Sequence, residues 1–116
     1  MKDNYLVVRF LNFGDIYSPI QLHDMAVPLE FKLDNPYPNP FNPVTTIPYS
    51  IPEDVNNLKI NIYDITGRLV DQIYNGNQTM GNHKLIWNAS RYASGIYFVK
   101  MITDKDNISR KLVLIK

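Results

Sequence analysis

Residues 58–67 read Leu-Lys-Ile-Asn-Ile-Tyr-Asp-Ile-Thr-Gly, and the reading of this stretch decides the fold. Leu58, Ile60 and Ile62 alternate with Lys59 and Asn61, a period of two that sends the apolar set to one face of an extended strand and the polar set outward. Asp64 to Gly67 then supplies turn formers, with Gly67 free to take a positive φ. Arg68 to Tyr74 is therefore predicted to return as the antiparallel partner, although its own pattern leaves the inward set undefined.

The same rhythm extends in both directions. Thr45 to Ile51 alternates Ile47, Tyr49 and Ile51 with Thr46, Pro48 and Ser50, and the missing donor of Pro48 predicts an edge strand. Downstream, Asn75 to Asn77 and Gly81-Asn82 read as one loop. His83 to Asn88 follows as a strand in which Leu85 shares a face with Trp87, a predicted core anchor. Ile96 to Thr103 turns Tyr97, Val99 and Met101 inward, Asp104 to Asn107 makes a turn, and Ile108 to Ile115 is the last strand. No helix-period stretch and no βαβ rhythm interrupts them. The predicted fold class is all-β, an antiparallel sandwich of about seven short strands, because a lone sheet would leave its apolar face wet. The strand not counted so far would come from upstream, where Tyr5 to Leu11 is strongly β-prone and Val27 to Leu33 alternates more weakly.

Asn35 to Pro43 reads Asn-Pro-Tyr-Pro-Asn-Pro-Phe-Asn-Pro. Its prolines fix φ and remove backbone donors, so the run is neither helix interior nor central strand. It divides the chain into a leader (1–32), which is the end of a preceding domain or an extra strand, a proline-rich linker and entry (33–43) and a β-sandwich (44–116).

Composition excludes several function classes. Twelve lysines and arginines face 11 acidic residues, leaving a net charge of +1, too little to hold a nucleic acid backbone. Cysteine is absent, which removes disulfides, thiolate metal sites and a cysteine nucleophile. No run reaches the roughly 18 apolar residues of a membrane span, so no transmembrane segment is expected. The N-terminus lacks the apolar core and cleavage pattern of a secretory signal, which leaves a cytoplasmic protein or a fragment whose parent carried the export signal.

Candidate chemistry is sparse. His23 and His83 lie far apart, and neither has metal-ligand spacing to another histidine or carboxylate. His83 reads as structural at a strand start, and His23-Asp24 has no nucleophile motif beside it. Asp104 and Asp106 lack the glycine and distal glutamate of a calcium loop and read as a solvated turn. Asn77, Asn88 and Asn107 open glycosylation-type triplets, a pattern frequent by chance in an Asn-rich chain. The eight tyrosines fall mostly on predicted strands and read as packing. The expectation is a protein that is not an enzyme, with no catalytic residues, no metal and no cofactor.

Residues 33 to 116 resemble the C-terminal sorting domain (type A) of the bacterial type IX secretion system, also described as a FlgD-like Ig fold. The matching segments are LDNPYPNPFNPVTTIPYSIPE (33–53), LKINIYDITGRLV (58–70), GNHKLIWNA (81–89), SGIYFVKM (94–101) and RKLVLIK (110–116). The resemblance implies an Ig-like sandwich that ends a secreted protein of a Gram-negative bacterium. Such a domain crosses the periplasm, is recognised by the outer-membrane translocon, and is usually removed by a sortase-type protease that anchors the cargo at the cell surface. It places recognition at Gly95 and Tyr97 of the Ser-Gly-Ile-Tyr motif and at Lys111 and Lys116. The proline-rich opening motif falls on Pro38, Asn39, Pro40, Phe41, Asn42 and Pro43. A competing expectation is a structural assembly subunit in which Tyr5 to Leu11 adds as a strand to a neighbouring copy.

Overall fold

In the computed structural model, which describes residues 28–116, the strands are β1 (Lys32–Leu33), β2 (Val44–Ile51), β3 (Val55–Asp64), β4 (Leu69–Gln78), β5 (Gly81–Asn88), β6 (Gly95–Ile102) and β7 (Asn107–Leu114). They pair antiparallel into two sheets, ordered β1-β2-β5 and β4-β3-β6-β7. The predicted all-β sandwich of seven strands is the fold observed. Of the two upstream candidates, Val27 to Leu33 yields β1 at its last two residues. Tyr5 to Leu11 and His23 lie outside the described residues, and the strand-addition expectation lies there with them.

The inward set is the one that alternation predicts: Ile47, Tyr49 and Ile51 of β2, Leu58, Ile60 and Ile62 of β3, and Tyr97, Val99 and Met101 of β6 are all buried. Trp87 is the centre of an aromatic group, with ring centroids 5.6 Å from each of Phe41, Tyr92 and Tyr97. Its indole N–H, which burial would otherwise orphan, donates to Asp71 Oδ2 at 2.9 Å. Burial also raises the pKa of the Tyr49 hydroxyl, opposed by the hydrogen bond it accepts from Gln78 Nε2.

Three expectations are corrected. Pro48 lies on the middle strand of its sheet, not at an edge. Its carbonyl accepts from Asp34 N at 3.0 Å, so its nitrogen also faces the β1 side, just where the chain leaves that two-residue strand and no ladder donor is needed. Asn75 to Asn77 is not a loop. β4 continues through it to Gln78, leaving Thr79-Met80 as the turn, with Met80 N held by Asp54 Oδ1 at 2.8 Å. Asn61, expected to be exposed, is 6% exposed: Lys100 lies opposite it on β6, and Gln72 Nε2 donates to its Oδ1 at 2.9 Å.

The proline run packs on the sandwich and touches both sheets. Tyr37 exchanges two backbone hydrogen bonds with Thr46 of β2. Four residues later Phe41 pairs with the outer edge of β7, its N–H donating to Val113 O and its carbonyl accepting from Ile115 N, both at 2.9 Å. The Phe41 side chain is buried in the core. The peptide bonds before Pro38, Pro40 and Pro43 are cis.

Candidate functional site

The residues singled out from the sequence gather at one end of the sandwich and along the adjoining edge of β7. Register fixes this arrangement. β2 begins, β5 ends, β6 begins and β7 ends at the same level, with Val44 opposite Asn88 and Gly95 opposite Leu114. Pro43 O accepts from Ala89 N at 2.8 Å, which ties the proline run to the β5–β6 connection. That connection in turn holds the C-terminus: Lys116 N donates to Ser94 Oγ at 3.0 Å and Lys116 Nζ to Ser90 O at 2.7 Å.

Each site residue has a local role. Tyr97 is 7% exposed and its hydroxyl donates to Ala93 O at 2.6 Å, the tyrosine corner of Ig-like sandwiches at the start of this strand. Gly95 opens β6, where steric crowding is one reason for a glycine. The structure shows open space around an added Cβ, and the requirement is instead its φ of +156°, which side-chain-bearing residues rarely adopt. Lys111 is exposed on the edge strand, and its carbonyl accepts from Asn39 Nδ2 at 2.8 Å. Pro38 O accepts from Thr45 Oγ1 at 2.8 Å, whereas Pro40 and Asn42 are exposed.

The β3–β4 turn, predicted at Asp64 to Gly67, stands at this same end, a place in the site that sequence reasoning did not assign to it. Asp64 Oδ1 accepts from Thr66 Oγ1 (2.6 Å), Thr66 N (2.9 Å) and Arg68 N (3.0 Å), while Oδ2 meets the Arg68 guanidinium at 3.1 Å. The Thr66 hydrogen bond leads in lowering the Asp64 pKa to about 2; burial, next in size, opposes it, and the backbone donors and the Arg68 charge add to the lowering. The signal was present as an Asp opening a Thr-Gly-Arg turn. Arg68 remains largely exposed, flanked by exposed Ile65 and Leu69, with exposed Ile115 also at this end.

β4 carries a second feature that sequence did not show. Its register slips between Ile62 and Tyr63, so that Asp71 pairs with Ile62 and Leu69 with Tyr63, leaving Val70 as the extra residue. The Val70 carbonyl accepts from Tyr92 OH at 2.9 Å. Burial, then the nearby Asp71 charge, raises the Tyr92 pKa. At the opposite end a shallow polar pocket of about 260 Å³ is lined by Asp54, Val55, Asn56, Asn77, Gln78 and Thr79. Among the described residues no group of His, Asp or Glu is assembled to hold a metal ion, and no helix is long and apolar enough to cross a membrane.

Fold and site together define an Ig-like β-sandwich whose sequence motifs converge on one end and one strand edge. The family is shown directly: a model described as "Secretion system C-terminal sorting domain" matches residues 35–116, and the chain belongs to that family, the sorting domains of type IX secretion. The protein is accordingly a secreted or cell-surface one. Among solved structures, it is similar to PorZ, described as an essential bacterial surface component of the type-IX secretion system of Porphyromonas gingivalis. The identity is 25% and the TM-score 0.47; the match covers 74% of this chain and 11% of the PorZ chain. No curated protein matches.

Proposed function

We propose that this chain is a non-catalytic address that carries an upstream cargo across the periplasm and through the type IX translocon to the surface of a Gram-negative bacterium. The end built by the proline run, the β3–β4 turn, the β5–β6 connection and Lys116 is the surface that translocon and sortase-type protease read. Lys111 and Lys116 supply cations for partner carboxylates. Gly95 and Tyr97 set the backbone that presents them, and Pro38, Asn39, Pro40, Phe41, Asn42 and Pro43 fix the edge beside them.

The observation that carries this reading is the polarity of the domain. Lys32 pairs with Ser50, one residue from the end of β2, so the chain joins the sandwich at the end opposite the motifs. Eight residues of β2 separate the two ends by about 25 Å. Cargo attached upstream trails from one end while the other stays clear for a receptor. The test is a fusion of residues 28–116 to an exported reporter in a bacterium with a type IX system. Surface display is expected, and a reporter that stays in the periplasm overturns the reading.

A further inference from the structure

The outer face of the four-stranded sheet has a charge pattern that the sorting motifs account for only at Lys111. Its outward positions include Lys59, Asn61 and Tyr63 of β3, Ile96, Phe98, Lys100 and Ile102 of β6, and Ser109, Lys111 and Val113 of β7. No carboxylate of the described residues stands among them. Asp71 is turned inward to Trp87, and Asp64 is held in its turn by Thr66 and Arg68.

The three lysines of this face lie on a diagonal. Lys59 is opposite Ile102. Lys100 is two residues on, opposite Asn61, and Lys111 two further, opposite Phe98. Diagonal neighbours on adjacent strands are about 7–8 Å apart. Same-side residues of an extended peptide repeat at about 6.5–7 Å, twice the strand rise, a mismatch that flexible lysine side chains absorb. The line is partly preorganised, since the Lys100 ammonium lies over the Tyr63 ring at 5.2 Å from its centroid. Half-buried Phe98 lies between Tyr63 and Lys111 in register and offers apolar surface to the residues between the charges.

We propose that this face binds an extended acidic peptide segment of a partner protein, with Asp or Glu at every second position, laid across β3, β6 and β7 along Lys59, Lys100 and Lys111. Charge complementarity supplies the attraction and the alternate spacing supplies the selectivity. The site shares Lys111 with the sorting surface, whereas Lys59 and Lys100 belong to it alone and separate the two in the test.

The test is calorimetric titration of the full 116-residue chain at low salt with two blocked octapeptides of equal charge, one alternating Glu and Ser, the other four Glu followed by four Ser. The alternating peptide is expected to bind at least threefold more tightly. Lys59→Gln, Lys100→Gln and Lys111→Gln are each expected to weaken it about threefold, and Lys84→Gln on the other sheet to leave it unchanged. Equal affinity for the two peptides, full binding by the three single variants, or tighter binding of polygalacturonate than of the alternating peptide overturns the proposal.

Discussion

The carboxamide of Asn39 takes the place of a strand residue beside Val113, its Oδ1 accepting the Val113 N–H at 2.9 Å while its Nδ2 donates to Lys111 O at 2.8 Å. Together with Phe41 it closes the outer edge of β7, whose unpaired donors and acceptors would otherwise template pairing with another chain. A side chain completes the ladder where proline on either side cannot.

Asn39→Ala is therefore expected to destabilise the domain by about 1–2 kcal/mol, the net value of two hydrogen bonds at an exposed edge. Asn39→Asp keeps the acceptor but sets a carboxylate against the Lys111 carbonyl, so it should cost at least as much. Urea unfolding gives the stability. Faster hydrogen exchange at Val113 N–H would localise the loss to this edge.

Phe41 separates a packed strap from a linker. Its ring is in the core, 5.6 Å from Trp87 between centroids, so Phe41→Ala is expected to cost about 3–5 kcal/mol and Phe41→Leu much less. A linker residue would leave the urea midpoint unchanged, which makes the same titration decisive.

Strands were legible wherever one face is buried and the register is regular. Leu58, Ile60 and Ile62 announced β3 because period two is what a half-buried strand imposes. β4 hid its inward set because its pairing with β3 slips at three places, each of which shifts the phase of the alternation. Pro48 misled because the edge rule concerns an unmet donor, and a neighbour of two residues leaves room for one within a middle strand. In the site, the proline run was visible as a motif. That Asn39 and Phe41 pair with Lys111, Val113 and Ile115, more than 70 positions away, follows from chain reversals that no local pattern encodes.

Tyr97 and Gly95 are expected to act on recognition through the fold. Tyr97→Phe removes the hydroxyl bond to Ala93 O and should cost about 1 kcal/mol. Gly95→Ala meets no steric obstacle, and its cost of about 1 kcal/mol or more comes from φ alone. Reporter display at the cell surface should fall in both variants only as far as stability falls. A loss of display by Tyr97→Phe at unchanged stability would instead make the hydroxyl a direct contact.

Asp64 gives the acid limb of stability a defined contributor. Its pKa falls from 3.8 to about 2 in the folded protein, because the native turn offers the charged carboxylate Thr66 Oγ1, two backbone donors and Arg68. The folded state thus binds this proton less readily than the unfolded chain. The contribution is complete above about pH 4 and is lost as pH falls through 2. Asp64→Asn cannot titrate, so melting temperatures measured from pH 5 to pH 2 should converge for the variant and the parent, with the parent higher at pH 5. A constant difference across that range would show that the carboxylate charge is not what the turn rewards, since only a charged group makes stability depend on pH in this window. Added salt should narrow the difference at pH 5 only slightly, because the Thr66 hydrogen bond, not the exposed Arg68 charge, is the leading cause of the shift.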